Sequence, residues 1–264
     1  MSVPQLPLAL RYPPDQRFET FVGSEATARL LSESARGGRD DWLMLSGPSG
    51  CGKTHLLLAA CADAVEAGRR AVYLDLDRVG QVGHGLADAL DGLDGNDLVC
   101  LDRLDAVAGQ RAAEIALFDF HNRARSGSTV LVYAARVVPA ALDLALPDLR
   151  SRLGQCTQVS VAMLDDQGRR AVLVGRAHRR GLNLDEPVLD YLFARVGRDL
   201  AGLARLLDRL DRESLAAGRR ITVPFVRDLL ARETQARVML AGEAAAGGAA
   251  TGEAVPPDGS PTDT

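Results

Sequence analysis

Along the middle of the chain, short apolar runs alternate with longer stretches whose apolar residues recur every three or four positions. Leu43–Ser46, Ala71–Leu76, Leu98–Leu101, Thr129–Tyr133 and Gln158–Val161 are too short for helices and read as buried strands. Helical periodicity fills the gaps, most clearly from Thr54 to Ala67. Buried strands separated by helical crossovers predict an α/β domain over residues 18–164, a five-stranded parallel sheet with helices on both faces. From Asp165 the strand pattern stops. Helical stretches at about 165–180, 186–195, 199–217 and 223–235 predict a small all-α subdomain over 165–235. Residues 1–17 are proline-rich and irregular and read as a flexible arm. Residues 241–264 have almost nothing to bury and read as a disordered tail.

Of the 31 basic residues, 30 are arginine, and the single lysine is Lys53. It lies in Gly47-Pro48-Ser49-Gly50-Cys51-Gly52-Lys53-Thr54, which fits the phosphate-loop pattern between a predicted strand and a predicted helix. In such a loop Gly47, Gly50 and Gly52 let backbone N–H groups face a phosphate, and the following helix adds its positive end. Lys53 would reach the β- and γ-oxygens with a compact ammonium, where a guanidinium would crowd them. Thr54 would place its hydroxyl on Mg²⁺. A nucleotide, ADP or ATP, is the expected cofactor. The alternative is a chance glycine-rich turn.

Asp97-Leu98-Val99-Cys100-Leu101-Asp102 is an apolar strand ending in a carboxylate, the arrangement that holds Mg²⁺ opposite a phosphate loop. Asp102 is the candidate second magnesium residue, unless it merely caps the segment that follows. Many P-loop ATPases carry a second acid next, which orients or deprotonates water. Here Arg103 stands there, and a guanidinium has neither an acceptor lone pair nor a removable proton. Asp105 lies three residues on. After the fourth strand, Ala134 and Ala135 occupy the region where a polar γ-phosphate sensor is usual. Nucleotide binding without robust hydrolysis is the expectation.

Composition narrows the class. With 47% hydrophobic residues and a net charge of −4, the chain is expected to be an ordinary soluble protein. Neither a secretory leader nor an apolar run long enough for a bilayer is evident, and the cytoplasm is the expected compartment. Cys51, Cys61, Cys100 and Cys156 lack paired or metal-ligand spacing, so reduced thiols are expected; Cys51 is either reactive at a helix start or a plain loop thiol. His55, His84, His121 and His178 are scattered, and Trp42 reads as packing. Arg176, Arg179 and Arg180 read as a solvated helix face, with nonspecific DNA contact as the alternative.

Several of these stretches, in this order, resemble one family, the initiator-type AAA+ proteins related to DnaA, and within it the Hda-type regulatory inactivators. The resemblance spans residues 1 to about 232. Phe18-Glu19-Thr20-Phe21-Val22 resembles the segment that packs near the adenine, and Asp105 to Gly109 with Ala116 to Arg123 resembles the stretch after the Walker B strand. Leu146-Pro147-Asp148-Leu149-Arg150-Ser151-Arg152-Leu153 resembles the segment bearing the arginine finger, with Arg152 in that position; a structural ion pair is its bland alternative. Gly197-Arg198-Asp199-Leu200-Ala201-Gly202-Leu203 resembles the lid's sensor 2 motif, with Arg198 facing the nucleotide or pairing with a carboxylate. Gln5, Leu6, Leu8 and Leu10 are similar to the family's clamp-binding peptide; without that context they would simply pack onto the ATPase domain.

The resemblance implies an AAA+ P-loop core with a helical lid, holding ADP or ATP with Mg²⁺. Its implied partners are the sliding clamp of the replicative polymerase and an initiator DnaA, whose ATP hydrolysis Arg152 would promote in trans. The implied role is a negative regulator of replication initiation. No helix-turn-helix reader is expected after Leu230. A helicase-loader-like or independent AAA+ ATPase is the competing class. A P-loop kinase is disfavoured by the arginine-finger segment.

Overall fold

The computed structural model describes residues 12–13, 15–79, 85–196 and 200–232. The elements run α1 (Glu25–Ala35), β1 (Leu43–Ser46), α2 (Lys53–Glu66), β2 (Ala71–Asp75), α3 (Leu76–Val79), α4 (Leu86–Leu90), β3 (Leu98–Asp102), α5 (Arg111–Ser126), β4 (Val130–Ala135), α6 (Pro147–Gly154), β5 (Thr157–Ser160), α7 (Asp166–Arg179), α8 (Glu186–Val196) and α9 (Leu200–Ala217). A further helix, α10, covers 223–232. The five strands are parallel in the order β2-β3-β4-β1-β5.

Strand residues alternate between two cores, as a pleated sheet covered on both sides requires. Met44, Leu131, Tyr133 and Ala135 face Leu117, Phe120, Leu149 and Leu153 of α5 and α6. Leu43, Leu45, Val132 and Ala134 face Leu31, Leu56, Leu57 and Cys61 of α1 and α2. The three central strands are buried throughout. The edges are not: β2 is half-buried along its length, and β5 buries only Val159. The expectation of five equally buried strands therefore holds for the middle of the sheet only. The fourth strand also runs two residues further than expected, so Ala134 and Ala135 pair with Leu45 and Ser46 inside the sheet. Helices α7 to α10 enclose a third core, in which Leu173, Leu189, Leu192, Leu203, Leu207, Leu210 and Val226 are buried.

Because every strand runs the same way, the sheet has two chemically different ends. The loops after β1, β3 and β4 gather the phosphate loop, Asp102 and Arg136 at the carboxyl end, where open α/β sheets place ligands. Trp42, Thr129 and Cys156, which precede β1, β4 and β5, mark the amino end, where the Thr157 N–H donates to the Trp42 carbonyl at 2.8 Å.

Candidate functional site

The phosphate loop turns directly out of β1. A side chain at position 47 would place its Cβ 2.2 Å from the Val161 carbonyl oxygen, so only glycine lets the loop pass there. Gly52 caps α2 with φ of 101°, a left-handed conformation that glycine adopts without strain, and the Phe21 ring covers it. Lys53 is buried, its Nζ donating to the Gly47 carbonyl at 2.6 Å and the Pro48 carbonyl at 2.9 Å. Cys51 is buried under the loop, 3.5 Å from that ammonium, and is not a presented thiol.

Thr54 and Asp102 come together as expected: the Thr54 hydroxyl donates to Asp102 Oδ2 at 2.5 Å. Asp102 is almost wholly buried and accepts two further bonds, from the Tyr73 hydroxyl at 3.0 Å and the Arg103 N–H at 2.8 Å. Burial, and then the Asp102 carboxylate, push the Tyr73 phenol well above its ordinary pKa, so it stays a donor. Tyr73 escaped the sequence analysis because its role depends on β2 lying beside β3.

Arg103 has φ of 58°, the one left-handed non-glycine among the described residues. That backbone turns its side chain onto β2 and α3, where Nη1 donates to Asp77 at 2.8 Å and Nη2 lies 3.6 Å from Asp75. Partial burial works against its charge, but Asp75, Asp77 and Asp102 more than offset that and raise its pKa. Asp105, the nearest other acid, accepts from the Arg136 backbone at 2.9 Å and its guanidinium at 2.6 Å. Neither group is free to act as a base.

The segment before α1 packs beside the start of α2. The Phe21 ring meets His55 edge-on at 5.5 Å, and His55 Nε2 donates to the Arg17 carbonyl at 2.8 Å. Burial lowers the His55 pKa against that bond, and Arg176 and Arg179 of the lid lower it further. The expectation of a solvated face at Arg176, Arg179 and Arg180 is corrected here. Asp15 lies 3.4 Å from Arg179 and 3.3 Å from Arg180, and Asp208 lies 2.6 Å from Arg180. The cluster ties the lid to the segment before α1. Gln5, Leu6, Leu8, Leu10 and Arg198 lie outside the described residues.

Arg152 sits at the other end of the sheet. It lines a cleft of about 580 Å³ with Asp40, Asp41, Trp42, Arg125 and Cys156, at the amino ends of the strands. The sheet separates it from this chain's own phosphate loop. No carboxylate pairs with it among the described residues. Beneath the cleft, His121 is buried between Trp42 and Tyr133, and Nδ1 lies 3.0 Å from the Tyr133 hydroxyl. Burial, with Arg152 and Arg125 nearby, lowers the His121 pKa to about 4.

Helix α6 is anchored by a residue that sequence reasoning passed over. Glu114 is fully buried in α5 and accepts three backbone N–H bonds, from Gly109 at 2.7 Å, Ala145 at 3.0 Å and Leu146 at 2.7 Å. A lone acid within a helical pattern gives no sign of this, since its partners are donated by loops elsewhere.

A parallel β2-β3-β4-β1-β5 sheet with a phosphate loop after β1, a buried acid ending β3 and a helical appendage is an AAA+ fold. Domain III of the replication initiation protein DnaA from Thermotoga maritima matches with a TM-score of 0.69 at 22% identity, over 84% of this chain and 98% of that one. AMPPCP-bound DnaA from Aquifex aeolicus matches at 0.64 and 21%, over 86% and 71%. The RuvB Holliday junction branch migration motor of Thermotoga maritima matches at 0.59 and 17%, over 82% and 71%. Within that class, residues 166–230 match the family model described as the lid domain of Hda. The chain has the AAA+ fold of these structures, and over residues 166–230 it is similar to the lid domain of Hda. Among the described residues no helix is long and apolar enough to cross a membrane.

Proposed function

We propose that this chain is a negative regulator of replication initiation, a nucleotide-holding adaptor that binds the sliding clamp and stimulates ATP hydrolysis by an adjacent initiator DnaA. The observation that carries the proposal is the placement of Arg152: unpaired with any described carboxylate, at the sheet end remote from this chain's own phosphate loop. An arginine there serves a neighbour's nucleotide and not its own.

The residues at the carboxyl end fit a nucleotide with Mg²⁺. Gly47, Gly50 and Gly52 shape the loop, Lys53 would hold the β- and γ-phosphates with its ammonium, and Thr54, which donates to Asp102, would keep a hydroxyl lone pair for the metal. Bound ADP or ATP with Mg²⁺ would supply the charge that fixes the loop and, through Arg198, the lid. Hydrolysis at that site is disfavoured. Arg103 is committed to Asp75 and Asp77, Asp105 to Arg136, and the sensor region is the buried pair Ala134 and Ala135.

Residues 5–10 would dock in an apolar pocket of the clamp, the Gln5 amide orienting a short strand that presents Leu6, Leu8 and Leu10. Held there, the chain would direct Arg152 at the γ-phosphate of ATP on the neighbouring initiator. An arginine supplied in trans can contribute about 10³–10⁵ in rate by stabilising charge that develops in the transition state.

The test is the rate of ATP hydrolysis by the matching initiator with clamp loaded on DNA. Wild type should stimulate it, while Arg152→Ala, and a variant with Gln5 and Leu6 both changed to alanine, should not. No stimulation by wild type, with appreciable turnover by this chain alone, would favour an independent AAA+ ATPase instead.

A further inference from the structure

The cleft at the amino end of the sheet holds a second cation. Arg125, in the last turn of α5, lines the cleft together with Arg152. Like Arg152, it pairs with no carboxylate among the described residues. Its neighbour two positions back is held quite differently: Arg123 lies 3.8 Å from Asp94 and stacks over the Phe120 ring. Both cleft arginines are felt at one buried imidazole, His121, so their charges act on one locus. Two cations lining one cleft without described carboxylate partners favour an anion there.

We propose that Arg125 is a second phosphate-contacting cation of the trans site, so that the cleft grips the terminal phosphates of a neighbour's nucleotide with two guanidiniums. This rests on the trans function proposed for Arg152. A cleft of about 580 Å³ is large enough for a phosphate tail. Asp40 and Asp41 also line the cleft, the latter 2.5 Å from Arg39. These carboxylates disfavour a long polyanion such as nucleic acid, which would have to run past them. A compact terminal phosphate needs only the two guanidiniums of α5 and α6.

Trp42, the single tryptophan of the chain, lines this cleft and reports on it by fluorescence. The full chain, loaded with ADP and Mg²⁺ to fill its own phosphate loop, is titrated with inorganic tripolyphosphate into the millimolar range at low salt. A saturable Trp42 change, at least about tenfold weaker in Arg125→Ala and partly recovered in Arg125→Lys, is expected. No saturable change, or one undiminished in Arg125→Ala, overturns the proposal. In the initiator assay Arg125→Ala should lower the maximal stimulated rate about tenfold or more, with a smaller effect on the concentration giving half-stimulation. A raised half-stimulating concentration at an unchanged maximal rate would make Arg125 a docking residue and refute the phosphate contact. Should wild type fail to stimulate while the Trp42 titration succeeds, the regulatory function falls and the phosphate site stands.

Discussion

Replacing Glu114 tests whether the trans end of the molecule is held by one buried carboxylate. Its three backbone donors come from two loops, Gly109 before α5 and Ala145 with Leu146 before α6, and all three bonds are 3.0 Å or shorter. In Glu114→Gln the amide NH₂ must face one of those N–H groups, leaving a buried donor unpaired at a cost of about 1–3 kcal/mol. The two remaining bonds change from charge-assisted to neutral and lose about 0.5–1 kcal/mol each. The sum is about 2–5 kcal/mol, a large share of the roughly 5–15 kcal/mol that holds a domain together. Glu114→Ala orphans all three donors and should cost about 3–9 kcal/mol, enough to unfold the domain at the upper end. Urea unfolding followed by far-UV circular dichroism gives both values. Since Leu146 immediately precedes α6, the Gln variant should also lose initiator stimulation beyond its unfolded fraction, as Arg152 is displaced. A Gln variant within about 0.5 kcal/mol of wild type would refute the account.

Three further substitutions probe the two ends of the sheet separately. Lys53→Arg should weaken ADP binding about ten- to a hundredfold in equilibrium titration, because the ammonium sits 2.6 and 2.9 Å from two loop carbonyls, where a guanidinium does not fit. Arg103→Glu should yield no efficient ATPase. It would set a third carboxylate beside Asp75 and Asp77 and lower stability by about 1–2 kcal/mol, less at high salt, with Asp75→Asn restoring part of the loss in thermal melts. His121 is neutral when folded, with its pKa lowered to about 4 from 6.5. The unfolded chain therefore binds the extra proton, and stability should fall as pH drops through 6.5, by up to about 2–3 kcal/mol near pH 4. His121→Leu should flatten that slope in denaturant titrations at stepped pH. His55, also lowered, accounts for part of what remains.

What was legible in the chain divides by the range of the interactions involved. The phosphate loop is local: strand, glycines, lysine and helix run continuously from Leu43 to Glu66, and the structure builds them as written, with Thr54 reaching Asp102. The central strands were legible because both faces are covered and every residue must be apolar. The edge strand β5, with Val159 alone buried, carries no such signature, and its expected span was one residue late. Tyr73, Asp75 and Asp77 gain meaning only from β2 lying beside β3, which sequence order does not state. Glu114 drew no notice because its N–H donors from the α6 side lie 31 and 32 residues away. The lid arginines looked solvated for the same reason, with Asp15 more than 160 residues distant.

The two ends of the sheet are charged in opposite senses relative to catalysis, and the same residue type does both. At the carboxyl end, Arg103 stands where a base would be useful and is neutralised by Asp75 and Asp77, so its positive charge is spent on structure. At the amino end, Arg125 and Arg152 are left without described carboxylate partners, and the buried imidazole behind them is kept neutral. A protein that turned over its own nucleotide would need the reverse at the first end: an acceptor beside Asp102. The asymmetry follows directly from a parallel sheet, whose ends are chemically distinct. On the proposed function, it would let a single subunit hold a nucleotide at one end while presenting cations to a neighbour's nucleotide at the other.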